Sequence, residues 1–215
     1  MHQEHNIILP EPTLRRLPWY LAYIDILRAR GINNVSSTQI AKALNVDASR
    51  IAKDLSFLNI RGKTRIGYDV ATLADALIDF LGFKRSHSAL VVGVGSLGAA
   101  LLHDRGLANY GLDIVAGFDT DPKLIGSSLC GVPIHDIADL AEVRESTGAE
   151  IGILTVPADK AQDAADSMVA AGIKAIWNFT PYRVRVCDGI VMTNTSIYAH
   201  LALIYNRLGF AEQRL

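Results

Sequence analysis

The hexapeptide Gly93-Val94-Gly95-Ser96-Leu97-Gly98 constrains this chain more than any other segment, because of what surrounds it. It completes the apolar run 89–94, which reads as a buried strand, and it opens residues 96–103, which read as a helix. Asp119 follows the next apolar run, 112–118, and stands 21 residues after Gly98. A strand, a GxGxxG turn, a helix and an acidic residue at that interval form the fingerprint of a dinucleotide-binding βαβ unit. The first glycine permits the tight turn, the second lets the backbone approach a pyrophosphate, and the third lets helix and strand pack closely. The free N–H groups at the helix start then face the phosphates. A carboxylate at Asp119 can accept from both ribose hydroxyls and repel a 2′-phosphate, which favours NAD(H) over NADP(H). Asp121 competes for that role.

The surrounding sequence continues the same alternation. Strands are expected at 151–156, 175–177 and 190–193, and helices at 137–144 and 158–171. Continuous apolar strands alternating with helices imply an α/β domain, a Rossmann-type parallel sheet covered on both faces, over residues 86–195. Thr155, Val156, Pro157, Asn178 and Phe179 fall at strand ends, where open sheets of this kind bind ligands, and are expected to line the ribose and nicotinamide side. Pro157 fits the start of a helix as well, and Phe179 fits core packing equally. Residues 196–215 hold a final helix over 196–208, with Leu201, Ile204, Tyr205 and Leu208 on one side. That helix is too apolar to be solvated and lacks a partner within its own domain.

The first 85 residues differ in charge. They contain 12 basic and 8 acidic residues, against 9 and 14 in the remainder, so the formal net charge of −1 hides a basic front and an acidic back. Residues 1–13 read as a frayed arm and 14–30 as a helix, with Pro18 in an early turn and Gly31 as its stop. Ser36 and Gln39 form a capping box for a short helix, and Asp47 caps a second over 48–57. Two short helices around a tight turn make a helix-turn-helix, with Ile40, Ala41, Leu44, Val46, Ile51 and Leu55 inside. Ser49, Arg50, Lys53 and Ser56 share the opposite face of the second helix. Residues 60–68 read as a small basic hairpin carrying Arg61, Lys63 and Arg65, which completes a winged helix over 1–85. Residues 72–81 add another helix and 82–88 a linker.

Other classes are excluded by composition. With half of 215 residues apolar, a fifth charged and a mean hydropathy of +0.22, the chain can bury a core. No apolar run approaches the ~20 residues of a membrane span, and the N-terminus lacks the basic and apolar regions of a signal peptide. A soluble cytoplasmic protein is expected. Cys130 and Cys187 are too few for a disulfide framework or a metal cluster, and no metal is expected. There is no Tyr-x-x-x-Lys pair and no HExxH, and His87, His103, His135 and His200 are scattered. A nucleotide domain without catalytic groups, joined to a DNA-binding domain, points to a sensor and not to an enzyme.

From Arg15 to Leu208 the sequence resembles the Rex family of redox-sensing transcriptional repressors. The resemblance rests on Arg16-Leu17-Pro18, Val35-Ser36-Ser37-Thr38, Lys53-Asp54-Leu55-Ser56, Gly62-Lys63 with Ile66-Gly67-Tyr68, and GVGSLG at 93–98. It continues through Phe118-Asp119 with Asp121-Pro122, Gly131-Val132-Pro133, residues 153–158 and residues 178–181. The resemblance implies a homodimer whose winged helices bind palindromic operator DNA. It also implies Rossmann domains that read NADH against NAD⁺, a last helix swapped between subunits, and release of DNA on NADH binding.

Several positions depart from the family. Ala52 precedes Lys53 where an Arg is usual, and Arg50 stands one turn earlier on the same face. The wing reads Lys63-Thr64-Arg65 where Lys-Arg-Gly is usual. Asp104 and Ser196 align with a Tyr and an Asp that, in the family, couple cofactor state to subunit geometry through an Arg matching Arg16. Asp104 is an alternative partner for Arg16. Two other readings stay open: a small NAD-dependent oxidoreductase, and a DNA-binding regulator that answers to another adenine nucleotide such as coenzyme A.

Overall fold

The computed structural model describes residues 9–58 and 60–212, which form two compact units divided in sequence between Arg85 and Ser86. The first few residues of the expected arm and the last three of the chain lie outside the described residues.

The first unit holds α1 (Glu11–Ala29), α2 (Ser37–Leu44), α3 (Ala48–Ser56) and α4 (Val70–Phe80), with the short antiparallel pair β1 (Asn34–Val35) and β2 (Tyr68–Asp69). Helix α1 starts three residues before the expected 14–30. Pro10 precedes it and Pro12 falls where a missing N–H costs nothing, so the end of the expected arm is packed helix and Thr13 is buried. Pro18 therefore sits two turns in, and the Leu14 carbonyl forgoes its helical N–H donor.

The caps form as the sequence implies. Ser36 and Gln39 satisfy each other's backbone, and the Asp47 carboxylate accepts from the N–H groups of Ser49 and Arg50. Asn45, at φ +52, makes the turn between α2 and α3. Leu17, Tyr20, Leu21 and Ile24 of α1 pack with Ile40, Ile51, Leu55, Leu73 and Leu77 in one core. The expected hairpin at 60–68 is smaller than its pattern suggests. Lys63 and Gly67 form one bridging pair, each donating an N–H to the other's carbonyl at 2.8 Å. Tyr68 and Asp69 pair instead with Asn34 and Val35, a segment too short to show alternation in sequence. Arg65 sits at the wing tip with φ +66, a left-handed conformation that costs a residue with a Cβ about 1 kcal/mol.

The second unit is a seven-stranded sheet in the order β5-β6-β4-β3-β7-β8-β9. Its strands are β3 (His87–Val92), β4 (Leu112–Asp119), β5 (Ser128–Leu129), β6 (Val132–Asp136), β7 (Ile151–Leu154), β8 (Ala175–Asn178) and β9 (Val191–Asn194). All pairings are parallel except that of the edge strand β5. Strand order reverses between β3 and β7, and there the sheet opens a crevice at its carboxyl ends. Helices α5 (Ser96–His103), α6 (Gly106–Asn109), α7 (Leu140–Thr147) and α8 (Ala161–Ala170) complete the unit, with α9 (Ile197–Glu212) at its end. The hairpin β5–β6 and the short α6 were not expected; Pro133 interrupts the β6 pattern, and it is tolerated beside the edge.

Alternate residues of β3 serve opposite faces. Leu90 and Val92 pack with Phe118, Leu154, Ala165 and Met168, while Ala89 and Val91 pack with Val94, Leu102 and Ile153. The covering expected on both faces is incomplete on the second. An apolar hollow of about 170 Å³ there is lined by Ile151, Trp177, Val191 and Thr193 among others. Every residue of α9 from Ile197 to Gly209 is exposed, including Ile197, Tyr198, Leu203, Ile204, Tyr205 and Leu208.

Replacing Arg65 with glycine is expected to relieve the strain at the wing tip and to raise the unfolding free energy of the first unit by about 1 kcal/mol. Denaturant unfolding followed by far-UV circular dichroism measures it.

Candidate functional site

The glycine loop leaves β3 and enters α5 at the reversal point of the sheet. Gly93 has φ +94, and a Cβ there would lie 2.9 Å from the Thr155 backbone. A Cβ on Gly98 would lie 2.0 Å from the Gly93 carbonyl oxygen. Both glycines are thus demanded by the fold, one by its dihedral and one by the closeness of helix to strand. Gly95 is different. It has an ordinary extended φ of −71°, and a Cβ there would meet nothing within 4 Å. Among the described residues nothing requires glycine at 95, and the space in front of it is open at the point where the α5 N–H groups of Ser96 and Leu97 begin. That is the shape a phosphate needs.

Asp119 is fastened to this loop. Its Oδ2 accepts the Val94 N–H at 2.7 Å, and its Oδ1 accepts the N–H groups of Thr120 and Asp121 at 2.7 and 3.0 Å. A carboxylate has about four acceptor positions, so one remains for a sugar hydroxyl while the backbone bonds persist. Binding both hydroxyls, as the sequence suggests, requires the carboxylate to release a loop N–H. Asp121 accepts instead from the Lys123 N–H.

Beyond Asp119 lies a cleft of about 500 Å³. Val92, Gly93, Phe118, Asp119, Val156 and Pro157 line it from the strand ends, and Ile137, Lys160, Asp163, Ala164 and Ser167 close the far side. The second group carries no motif; only its place after β6, for Ile137, and after β7, for the rest, could have flagged it. Its walls are mostly apolar with a charged rim, suited to a flat heteroaromatic base beside a polar sugar.

The other expected contacts divide. Thr155 Oγ1 donates to the Gly93 carbonyl at 2.6 Å, so it braces the loop. Asn178 is buried, and both its amide hydrogens are spent, on the Tyr182 carbonyl and on Asn194 Oδ1, each at 2.8 Å. Its carbonyl accepts the Thr180 N–H. It shapes the turn after β8. Phe179 packs against Trp177 with the two rings tilted by 45° and their centroids 4.6 Å apart. Among the described residues, no group of three or more His, Cys, Asp or Glu side chains is arranged to hold a metal, and no helix is long and apolar enough to cross a membrane.

In the first unit, Arg50 and Lys53 project from α3 and Lys63 and Arg65 from the wing, all exposed. The hydroxyls of Ser49 and Ser56 are engaged within α3, with the Asp47 carboxylate and the Lys53 carbonyl. Arg16 is paired with a residue that sequence reasoning gave no role: Asp54, on the buried side of α3, at 2.7 Å. Asp104 caps its own turn by accepting the Gly106 N–H at 2.7 Å, and Ser196 Oγ accepts the Ala199 N–H at the start of α9.

Comparison with known proteins gives a consistent picture. Residues 84–182 match the family described as "CoA binding domain", and residues 8–56 match "Putative DNA-binding protein N-terminus". The chain is 56% identical over 204 residues to the redox-sensing transcriptional repressor Rex of Bacteroides fragilis, covering 95% of this chain and 93% of that one. It is 54% identical over 200 residues to the same repressor of Porphyromonas gingivalis, covering 93% and 92%. Among solved structures, RSP in complex with β-NAD⁺ and operator DNA matches with a TM-score of 0.91 at 32% identity, over 96% of this chain and 95% of that one. RSP in complex with β-NADH matches with a TM-score of 0.86 at the same identity, over 96% and 97%. With more than half of its residues shared across nearly its full length, the chain belongs to the Rex family of redox-sensing transcriptional repressors.

Proposed function

We propose that this protein is a homodimeric repressor that binds operator DNA through its winged unit and leaves it when NADH occupies the Rossmann unit. The observation that carries the reading is Gly95, a glycine that no described residue requires and that faces open space at a helix start. A pyrophosphate there accounts for it. Val94, Gly95, Ser96 and Leu97 hold the phosphates, Asp119 takes a ribose hydroxyl, and the cleft beyond takes the adenine. Val156 and Pro157 flank the path toward the nicotinamide, with Phe179 and the turn braced by Asn178 on its far side. The bound nicotinamide supplies the difference sensed, since its oxidised and reduced rings differ by one charge.

Arg50 and Lys53 enter the major groove, with Ser49 and Ser56 beside them, and Lys63 and Arg65 follow the backbone or minor groove. The exposed apolar surface of α9 and the open hollow at Trp177 support a dimer in which this helix packs on a second copy. Two symmetric fronts then require a near-palindromic site. Arg16, Asp104 and Ser196 stand as coupling positions in this scheme. The protein works in the cytoplasm, without membrane or metal, and turns over no substrate. Coenzyme A is the second candidate ligand, favoured by the family match over 84–182.

NADH can release DNA only by favouring a DNA-incompetent arrangement of the dimer. Operator affinity measured by fluorescence anisotropy is therefore expected to fall between about 5- and 150-fold in saturating NADH relative to NAD⁺. Equal affinities, with coenzyme A effective instead, favour the second ligand. Gly95→Val is expected to lower NADH affinity by about 100-fold or more while the thermal midpoint moves by no more than about 2 °C, because the added methyls meet only the ligand. Lys53→Ala is expected to weaken duplex binding about tenfold and to leave NADH binding unchanged. If Lys53 contacts a phosphate, the salt slope also falls by about one.

A further inference from the structure

The carboxylate of Asp54 is 2% exposed and lies on α3, the helix that carries Arg50 and Lys53. It takes four hydrogen bonds from three side chains of α1. Arg16 donates from Nε to Oδ2 at 2.7 Å and from Nη2 to Oδ1 at 2.8 Å. Tyr20 donates its hydroxyl to Oδ2 at 2.7 Å, and Thr13 donates its hydroxyl to Oδ1 at 3.1 Å. Arg16 Nη2 also reaches Thr13 Oγ1, so the donors are tied to one another. Residues 13, 16 and 20 recur at helical spacing and converge on one point. All the acceptor positions of the carboxylate are filled.

Burial alone would raise the Asp54 pKa, yet the bonds from Arg16, Tyr20 and Thr13 hold it below the ordinary carboxylate range. Burial beside that anion pushes the Tyr20 hydroxyl up to about 12. The group is an anion across the working range of pH. Ile51 and Leu55 already bury this side of α3, and an apolar residue at 54 would extend that burial without the cost of dehydrating a charge. What apolar contact does not supply is direction. It lets a helix slide and turn on its axis, whereas four bonds to a planar group fix both. Arg50 lies one turn before Asp54 and Lys53 immediately precedes it. Reading a base edge requires these side chains to be held to about half an ångström.

We infer that Asp54 is a positioning residue for DNA recognition, locking the azimuth of α3 to α1 so that Arg50 and Lys53 meet base edges in register. The inference rests on the DNA-binding reading given above. Its test uses the full chain and a duplex selected by the native protein from a random pool, against a scrambled duplex of the same length. Asp54→Asn is expected to lower affinity for the selected duplex about 100-fold. Affinity for the scrambled duplex, its salt slope and NADH binding should stay within about twofold, because phosphate contacts tolerate a turned helix. If Asp54→Asn unfolds the first unit by circular dichroism, Tyr20→Phe decides. It removes one donor and leaves the ion pair, and it is expected to reduce the preference three- to tenfold. A folded variant whose preference between the two duplexes equals that of the native protein overturns the inference. A native protein with no preference for any duplex overturns the DNA-binding reading instead.

Discussion

The second unit depends on the contact between the α5 backbone at Gly98 and the carbonyl of Gly93. With 2.0 Å between that oxygen and any added Cβ, the helix can lie this close only where a side chain is missing. The closeness brings the start of α5 over the crevice where strand order reverses, and the Thr155 hydroxyl and the Asp119 carboxylate then fasten the entry of the loop, at the Gly93 carbonyl and the Val94 N–H. The loop is held by neighbours on two strands, so its N–H groups are arranged before any ligand arrives. Prearrangement of this kind reduces the ordering cost of binding.

The first unit solves a different problem with the same economy of contacts. Three of its helices are short, and apolar packing among Leu17, Ile40, Ile51 and Leu73 holds them to the longer α1. Orientation comes from caps and from one buried ion pair. The two units thus share a device: a buried or half-buried aspartate that ties its own element to a neighbour, Asp119 by one N–H of the glycine loop and Asp54 by three side chains of α1.

Much of this architecture was legible in the sequence because it is written in periodicity and punctuation. The capping box at Ser36, the cap at Asp47 and the glycine spacing at 93–98 all predict local structure from local chemistry, and all three form. Elements that depend on distant partners were not legible. The strand at Asn34–Val35 exists only because Tyr68–Asp69 lies beside it, and β6 hides behind Pro133. The site divides in the same way. The loop and Asp119 carry a motif, whereas Lys160, Asp163 and Ser167 reach the cleft through the placement of α8. Asn178 and Thr155 sit at the expected strand ends, but their polar atoms are engaged with neighbouring backbone and, for Asn178, with the Asn194 side chain, which no local pattern foretells. Asp54, within a motif already noticed, gave no hint that three residues of α1 converge on it.

The bare surface of α9 has a consequence for how much working protein a cell holds. A helix exposing Ile197, Tyr198, Leu203, Ile204, Tyr205 and Leu208 presents an apolar surface open to association. If a second copy covers it, assembly rises with the square of chain concentration, and uncovered chains are left open to aggregation and degradation. Modest changes in synthesis then become larger changes in competent regulator, and a gene switch built on this helix carries a dosage threshold of its own.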